Sequence, residues 1–188
     1  EEILLPHGEI SGRVAWRSPS NIALVKYWGK REPQLPMNPS ISFTLQNACT
    51  DTYISYNYNP AREKLAVQYT FDGRQNAGFT DRIVRYLESA AGYLPFLRNS
   101  ELTISSANSF PHSAGIASSA SAFSALALCL LDIGIEITKT TMAEPDFFRK
   151  ASFLSRLGSG SASRSVYGET VLWGAAVEIS DSSDEAAI

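Results

Sequence analysis

The chain has 188 residues, of which 44% are hydrophobic, 19% are charged and 11% are aromatic. This length suits one domain, or one domain plus a fragment, and it is sufficient to bury a sizeable core. The composition excludes disorder over most of the chain. The formal net charge of −3 argues against a nucleic-acid-binding protein, because such proteins need a surplus of Lys and Arg against the phosphates.

The cysteines and the apolar runs indicate the compartment. Cys49 and Cys129 are isolated and match neither a disulfide framework nor a zinc spacing, which indicates a reducing environment. The start, EEILLPHGEI, is acidic and contains a proline where a signal peptide needs a basic start and an apolar core. The longest apolar run, 122–131, is interrupted by Ser124 and is too short to cross a bilayer. We therefore expect a cytoplasmic, enzyme-sized domain without a membrane partner.

The first half of the chain reads mainly as strands. Alternating or β-rich segments predict strands at 11–19, 41–46, 50–59, 64–73, 101–109 and 169–180. Within 50–59, one face carries Tyr53, Ser55 and Asn57 and the other carries Ile54, Tyr56 and Tyr58. The segment 64–73 follows NPAREK, so we expect it to form a hairpin with 50–59 and to end at Asp72-Gly73.

Helical patterns appear between and after these strands. The segment 80–93 is amphipathic, with Thr80 placed as an N-cap. From Ser118 onward the residues predict a helix buried on nearly every face, and 144–160 predicts another helix with Pro145 near its start and glycine at its end. The tail DSSDEAAI reads as a solvated turn. This order predicts an α+β fold, and because the chain ends soon after a strand we expect it to be a fragment of a longer protein.

The first candidate site is NSFPHSAGIASSAS, which leads from a strand into the buried helix. Small residues, namely Ala114, Gly115, Ala117, Ser118 and Ser119, would keep side chains away from an anion. The helix N-terminus would supply unpaired N–H donors and a partial positive charge. The serine hydroxyls could add donors or help hold a metal carried by a nucleotide. A tightly packed turn of small residues fits the pattern equally well, and a Walker A ending is missing.

A second candidate is the basic segment within 18–45. Lys26, Lys30 and Arg31 fall within six positions and are interleaved with Tyr27 and Trp28. This local concentration of cations in an acidic protein suits a small polyanion. The alternative is a solvated basic edge with Trp28 tucked into the core.

A third candidate is RLGSGSASRSVYG, at 156–168. It reads as a helix stop, a small-residue turn and a short helix. It follows a helix and lacks the third glycine of a dinucleotide-binding loop. Arg164 could hold a phosphate or a carboxylate with a bidentate fork, or it could be an ordinary surface arginine beside a C-cap glycine. The two histidines and two cysteines form no metal-ligand pattern.

Together and in this order, NIALVKYWGK, PMNPSISFTL, FPHSAGIASSAS and GSGSASRS resemble the diphosphomevalonate decarboxylases of the GHMP kinase superfamily. The resemblance spans about residues 11–173, and KYWGK and GSGSASRS are its more specific parts. It implies a GHMP kinase-type N-terminal domain, a mixed and largely antiparallel sheet with helices packed on one side. It also implies ATP-dependent decarboxylation of (R)-5-diphosphomevalonate, with ATP and Mg²⁺ as cofactors and a homodimer as assembly.

The resemblance also assigns residues. Lys26 matches a lysine beside the reacting hydroxyl, Asn21 matches an active-site asparagine and Arg164 matches the arginine that holds the substrate carboxylate; these are the expected catalytic residues. Tyr27 and Lys30 match contacts to the substrate diphosphate, and Ser159 and Ser161 match substrate-binding serines. The expected ATP loop comprises Pro111, His112, Ser113, Ala114, Gly115, Ile116, Ala117, Ser118, Ser119 and Ala120, with Ser118 and Ser119 near Mg²⁺.

Some features depart from the family pattern. His112-Ser113 stands where family members commonly have Thr-Ala, and Ile116 replaces a leucine, although neither change removes a backbone donor. The family's catalytic aspartate is expected beyond Ile188. Two alternatives stay open: another small-molecule kinase of the superfamily, such as a mevalonate or phosphomevalonate kinase, and a non-catalytic ligand-sensing or interaction protein on the same fold.

Overall fold

The computed structural model describes residues 4–111 and 115–188. The strands are β1 (Ile10–Val25), β2 (Lys30–Arg31), β3 (Leu35–Pro36), β4 (Ser40–Tyr58), β5 (Ala66–Phe71), β6 (Ser100–Asn108) and β7 (Thr170–Trp173). The α-helices are α1 (Ala77–Ala90), α2 (Ser118–Thr138) and α3 (Glu144–Gly158). Short 3₁₀ helices span Pro95–Asn99 and Gly160–Ser165.

The long strand β4 organises the main sheet. The strand order is β1-β4-β6-β5, and β7 also pairs with β4. β4 lies antiparallel to β1 along one side, and along the other it lies antiparallel to β7 through Ser40–Phe43 and to β6 through Thr50–Tyr58. β5 is parallel to β6, and β2 and β3 form a separate hairpin. The two strands expected at 41–46 and 50–59 are thus one strand.

One face of this sheet is buried under the helices. Ile54 and Tyr56 of β4 and Leu102 and Ile104 of β6 belong to the core, whereas Tyr53, on the opposite face, is exposed. This alternation is the one that the sequence predicted. α2 packs against β1 and β4, and α3 packs on α2. The α+β class and the placement of helices on one side of a largely antiparallel sheet are confirmed.

The predicted hairpin between 50–59 and 64–73 is wrong. β5 pairs with β6 in parallel register, Ala66 opposite Glu101 and Phe71 opposite Ser106. A tight hairpin would place β5 beside β4, but β6 occupies that position and pairs with β4 along nine residues. The local turn at Asp72-Gly73 is nevertheless present, because both residues have positive φ angles. The turn therefore ends β5 without determining its neighbour.

Two further local predictions need correction. Helix α1 begins at Ala77, with Asn76 as its N-cap accepting a hydrogen bond from the Phe79 N–H at 3.2 Å, so Thr80 is not the cap. The tail is not a solvated turn. Ala186 and Ala187 are buried, and the backbone of Ile188 exchanges two 2.9 Å hydrogen bonds with Leu172 of β7.

Helix α2 forms the centre of the domain. By length and composition it is long and apolar enough to cross a membrane, although 72% of its most apolar window is buried inside the fold. The apolar run 122–131 is thus only part of a longer helix. Such burial is what the core helix of a globular fold requires, because a helix that is apolar all round must be covered on every side.

Candidate functional site

A cleft of about 410 Å³ opens where β1 ends, and it brings together residues from three distant parts of the sequence. The end of β1 contributes one wall, the start of α2 a second, and the 3₁₀ helix Gly160–Ser165 a third. The lining residues are Asn21, Ile22, Ala23, Lys26, Tyr27, Gly115, Ala117, Ser161 and Arg164. Five of these, Asn21, Lys26, Tyr27, Ser161 and Arg164, are expected catalytic or substrate-binding residues.

Arg164 is the most unusual group in this cleft. The residue is only 3% exposed, so the surface alternative considered from the sequence is wrong. Its Nη1 donates to Ser40 Oγ at 2.7 Å, while its Nε has no hydrogen-bond partner. No carboxylate among residues 4–111 and 115–188 forms an ion pair with it. A buried arginine without a counter-charge is suited to receive an anion from outside the protein.

Aromatic rings hold the Arg164 guanidinium in place. Its Cζ lies 5.7 Å from the ring centre of Tyr27 and 5.8 Å from that of Trp173. The two rings meet edge to face with centroids 5.1 Å apart. Burial lowers the pKa of Arg164 from its ordinary value, but an arginine remains protonated under any condition in which proteins are studied. The cation is therefore rigidly placed and weakly hydrated.

Asn21 connects the end of β1 to the 3₁₀ helix. Its Nδ2 donates to the carbonyl oxygen of Ser161 at 3.0 Å and to Ser165 Oγ at 2.7 Å. The residue is only 3% exposed, so these bonds are shielded from water. Asn21 therefore fixes the backbone that carries Ser161 and Arg164.

Lys26 and Lys30 supply two more cations at the edge of this region. Lys26 is exposed and lines the cleft. Lys30 does not line it, but its Nζ lies 5.7 Å from the Tyr27 ring centre and donates to Gln34 Oε1 at 2.7 Å. Trp28, between them, is 91% exposed, so the alternative in which it is tucked into the core is wrong.

A row of serine hydroxyls links the turn that follows α3 to the first turn of α2. The Ser159 and Ser161 hydroxyls lie 3.2 Å apart, and Ser159 Oγ lies 3.3 Å from Ser119 Oγ. Ser119 belongs to the first turn of α2. The segments GSGSASRS and GIASSAS, 40 residues apart, therefore meet in space.

The start of α2 has the geometry of an anion-binding turn. Gly115 has a φ of +76°, a conformation that glycine adopts readily and that bulkier residues resist. The N-cap residue Ala117 offers no side-chain hydrogen bond to the helix, so the first N–H groups lack the usual hydroxyl or carboxylate cap. The expected ATP-loop residues His112, Ser113 and Ala114 lie outside the described residues, whereas Pro111 precedes them and Ile116 and Ala120 lie within the described part.

A second, smaller pocket of about 90 Å³ lies on the other side of this helix start. Ser118 and Ser119 line it, together with the aromatic rings of Phe71, Phe79 and Phe123. Asn108 also lines it, and the Nδ2 of its amide is a buried donor without a partner among the described residues. Its Oδ1 already accepts from Thr50 Oγ1 at 2.8 Å. Arg82 lines the same pocket, with its Cζ 4.9 Å from the Phe123 ring centre. The pocket therefore offers aromatic walls, the Arg82 guanidinium and the unpartnered Asn108 Nδ2.

Sequence reasoning missed several of these residues. The aromatic pocket comes from β5, α1 and α2, whose side chains look like ordinary core residues in the sequence. Ser40 and Trp173 contact the Arg164 guanidinium from strands β4 and β7, and Ser40 lies 124 residues from Arg164 in the chain. Only PMNPSISFTL, which contains Ser40, carried a signal, and that signal came from the family resemblance.

Comparison with known proteins agrees with this geometry. Residues 18–184 match the family described as diphosphomevalonate decarboxylase-like N-terminal domain. The chain belongs to this family. The match covers the cleft, the loop before α2 and the 3₁₀ helix, so all three candidate segments lie inside the diphosphomevalonate decarboxylase-like domain.

Individual proteins similar to this chain are named diphosphomevalonate decarboxylase or mevalonate diphosphate decarboxylase. A diphosphomevalonate decarboxylase from Ganoderma lucidum is 34% identical over 182 residues, which cover 91% of this chain and 43% of the relative. The crystal structure of mevalonate diphosphate decarboxylase from Staphylococcus aureus has a TM-score of 0.71 and 32% identity, over 95% of this chain and 49% of that one. MDDEF, solved with MVAPP, AMPPCP and magnesium, has a TM-score of 0.68 and 30% identity, over 96% and 50% of the two chains. This chain thus spans about half the length of these relatives.

Proposed function

We propose that this domain binds (R)-5-diphosphomevalonate and ATP, and that the protein carrying it catalyses ATP-dependent decarboxylation to isopentenyl diphosphate, CO₂, ADP and phosphate. One observation carries the proposal. Arg164 is a buried cation with an unpartnered Nε and no carboxylate partner among the described residues, and it faces a cleft beside an anion-binding helix start. A substrate with a carboxylate at one end and a diphosphate at the other suits a cleft that holds Arg164 within and lysines at its edge.

The chemistry of each polar group in the cleft suggests its role. Arg164 holds the substrate carboxylate, because a guanidinium pairs with a carboxylate through parallel hydrogen bonds. Lys30 and Tyr27 receive the diphosphate, with Ser159 and Ser161 as hydroxyl donors. Lys26 sits at the mouth of the cleft, where its cation stabilises the negative charge that develops on the reacting hydroxyl oxygen. Asn21 holds the 3₁₀ helix that carries Ser161 and Arg164.

The nucleotide fits the second pocket and the helix start between the two pockets. The aromatic walls and the unpartnered Asn108 Nδ2 suit a purine base, since an aromatic pocket with a free donor can receive a ring nitrogen. Ser118 and Ser119 line this pocket, while Gly115 and Ala117 line the cleft. The phosphates would therefore cross from one pocket to the other along the N–H groups of the helix start.

The donor set also fits a magnesium ion that arrives with the nucleotide. In the part of the chain that the structure describes, no group of three or more His, Cys, Asp or Glu side chains could hold a metal alone. Mg²⁺ is commonly bound by one or two protein oxygens together with substrate phosphates. We assign this role to the Ser118 and Ser119 hydroxyls at the start of α2.

The chemistry explains why these residues are needed. A tertiary hydroxyl is a poor leaving group, and ATP supplies the phosphoryl group that converts it into a good one. As the leaving group departs, positive charge develops at the tertiary carbon and the carboxylate is lost as CO₂. The protein contributes position and electrostatics: Arg164 holds the carboxylate in place, and the lysines at the edge of the cleft provide positive charge.

Calorimetric titration measures the affinity for each of the two ligands separately. We expect Asn108→Ala to weaken binding of a non-hydrolysable ATP analogue about fivefold and to leave diphosphomevalonate affinity unchanged, because one hydrogen bond contributes about 1 kcal/mol. Arg164→Met should weaken binding of diphosphomevalonate and leave the affinity for the ATP analogue unchanged. Loss of both affinities in both variants would contradict the separation into two pockets, and absence of diphosphomevalonate binding in the parent protein would overturn the proposal.

We also propose a cytoplasmic location and a homodimeric assembly. The location is supported by Cys49 and Cys129, which are both free and buried, as expected for a chain from a reducing compartment. The homodimer follows from the family resemblance, and sedimentation velocity tests it directly: a monomer at micromolar concentration would contradict it.

A further inference from the structure

Arg156 is a fully buried arginine outside both pockets. It lies in the last turn of α3, three residues before Ser159, and none of its surface is exposed. Its guanidinium stacks on Phe153, with Cζ 5.0 Å from the ring centre. Burial lowers its pKa from the ordinary arginine value. A charge held in this environment needs strong compensation, because desolvation of a buried cation costs several kcal/mol.

The compensation comes from two segments on opposite sides of the guanidinium. On one side, Nε donates to the Glu185 carbonyl oxygen at 2.9 Å, and Nη2 pairs with the Glu185 carboxylate at 2.6 Å. On the other side, Nη1 donates to the carbonyl oxygen of Pro33. Arg156 therefore joins the C-terminal tail and the tip of the β2–β3 hairpin to the end of α3.

The tip of that hairpin presents Gln34 to Lys30. Gln34 has a φ of +63°, a left-handed conformation that is unfavourable for a residue with a Cβ and persists only where the surroundings impose it. In this conformation Gln34 Oε1 accepts a hydrogen bond from Lys30 Nζ at 2.7 Å. The bond from Arg156 to the adjacent Pro33 carbonyl is a direct constraint on the backbone of this turn.

Lys30 is thereby held against the serine-rich turn that follows α3. A Cβ added to Gly160 would lie 3.1 Å from Lys30 Cε and 3.3 Å from its Nζ. Gly160 stands between Ser159 and Ser161, the expected donors to the substrate diphosphate. The Lys30 cation and these hydroxyls thus form one surface, although Lys30 is far from both serines in the sequence.

We propose that Arg156 is a positioning residue for Lys30: through Pro33 and Gln34 it fixes the Lys30 ammonium over Gly160, where it meets the substrate diphosphate. The inference rests on the proposed function, since it adds a residue to the diphosphate end of that site. An arginine is required because its planar fork donates in two directions at once, to Glu185 and to Pro33, which a lysine ammonium on a flexible stem does not reproduce.

A double-mutant cycle tests this role with inorganic pyrophosphate as the probe. The four proteins are the parent, Arg156→Lys, Lys30→Ala and the double variant, and the readout is pyrophosphate affinity by calorimetry. We expect Arg156→Lys to weaken binding about tenfold in the parent and less than twofold in the Lys30→Ala background, because a residue that acts through Lys30 has no effect once Lys30 is removed. Arg62→Lys is the matched control, since Arg62 forms an ion pair with Glu101 at 2.7 Å on another part of the fold.

A second variant keeps the test valid if Arg156→Lys does not fold. In Gln34→Asn, the new asparagine tolerates the positive φ of this position. Its side chain is one methylene shorter, so its amide no longer reaches Lys30. We expect the same weakening of pyrophosphate binding and the same loss of effect in the Lys30→Ala background. In the turnover assay both variants should raise KM for diphosphomevalonate about tenfold with kcat changed less than twofold.

The outcomes separate this inference from the proposed function. Equal weakening in both backgrounds, or no weakening, overturns the role of Arg156 and leaves the proposed function intact. No pyrophosphate binding by the folded parent protein overturns the diphosphate site and the Arg156 inference together. A fall in kcat without a rise in KM also contradicts a role at the diphosphate.

Discussion

Replacing Arg164 with methionine should weaken substrate binding strongly while leaving the fold at least as stable. Methionine has a similar length and a flexible apolar side chain that can fill the space. The variant removes the cation that we assign to the substrate carboxylate. Hydrogen bonds to charged groups contribute about 1.5–3 kcal/mol each, so loss of a bidentate pair should cost about 3–6 kcal/mol. At 1.4 kcal/mol per tenfold change, this is a loss of roughly 10²–10⁴ in affinity for diphosphomevalonate.

The stability of the same variant follows from the surroundings of the guanidinium. Arg164 makes one hydrogen bond, to Ser40 Oγ, which contributes about 1 kcal/mol, and its contacts with the Tyr27 and Trp173 rings contribute about 0.5–2 kcal/mol. Against this, the variant removes a buried charge whose desolvation costs several kcal/mol. Ser40 Oγ retains its bond to the Trp173 carbonyl oxygen at 3.2 Å. We therefore expect the free energy of unfolding to stay the same or to rise by up to about 2 kcal/mol.

Two measurements check this prediction. Calorimetric titration gives the affinity for diphosphomevalonate, and urea unfolding followed by circular dichroism gives the stability. Arg17→Met is a suitable control, because the Arg17 side chain is exposed and pairs with Asp51 away from the cleft. Substrate affinity within threefold of the parent value would refute the carboxylate assignment. A loss of several kcal/mol in stability would instead mean that Arg164 is a structural anchor.

The other predictions concern packing and pH. Gly158→Ala should lower the free energy of unfolding in urea by about 1–3 kcal/mol, because the added Cβ would lie 2.2 Å from Phe123 Cδ1. Gly168→Ala is the control and should change stability little, because no atom lies within 4 Å of its added Cβ. Equal effects of the two variants would contradict the close packing at Gly158. Burial raises the pKa of Asp132, which accepts a hydrogen bond from Trp16 Nε1. Folding therefore favours its protonated form, and the parent should gain stability relative to Asp132→Asn as the pH falls from about 7 through this raised pKa to about 4. A difference that shrinks or reverses over that range would contradict the sign.

The sequence predicted the parts of the fold that depend on local patterns. The alternation of Ile54, Tyr56 and Tyr58 with their neighbours identified the buried face of β4, and the predominantly apolar segment after Ser118 identified the core helix. These signals are strong because burial acts on every second residue of a strand and on every face of a core helix. Local patterns also indicated the helix start that we assign to the phosphates.

Long-range pairing could not be predicted from such patterns. The pattern of β5 identifies a strand but not its partner, and the partner proved to be β6 rather than β4. The tail looked solvated because Ala186 and Ala187 are small and have polar neighbours, although both pack against the domain. In each case the environment of a residue is determined by segments that are distant in the sequence, and the local sequence does not identify those segments.

The candidate site shows the same limit. Asn21, Lys26 and Arg164 were named from a family resemblance, and their residue types alone gave no reason to place them together. The burial of Arg164 and the lack of a carboxylate partner among the described residues appear only in three dimensions, because Ser40, Tyr27 and Trp173 reach it from three different segments. Sequence patterns thus identified candidate groups, and the fold supplied their electrostatics.

The most direct test of the account is the stoichiometry of turnover. The protein carrying this domain is incubated with Mg²⁺, ATP and diphosphomevalonate labelled in its carboxyl carbon. The amounts of CO₂, ADP and isopentenyl diphosphate formed are then measured in the same reaction. We expect equal amounts of all three, and a loss of all three in Arg164→Met. Formation of ADP without CO₂ would identify a kinase that does not decarboxylate, and absence of both products would contradict the proposed chemistry altogether.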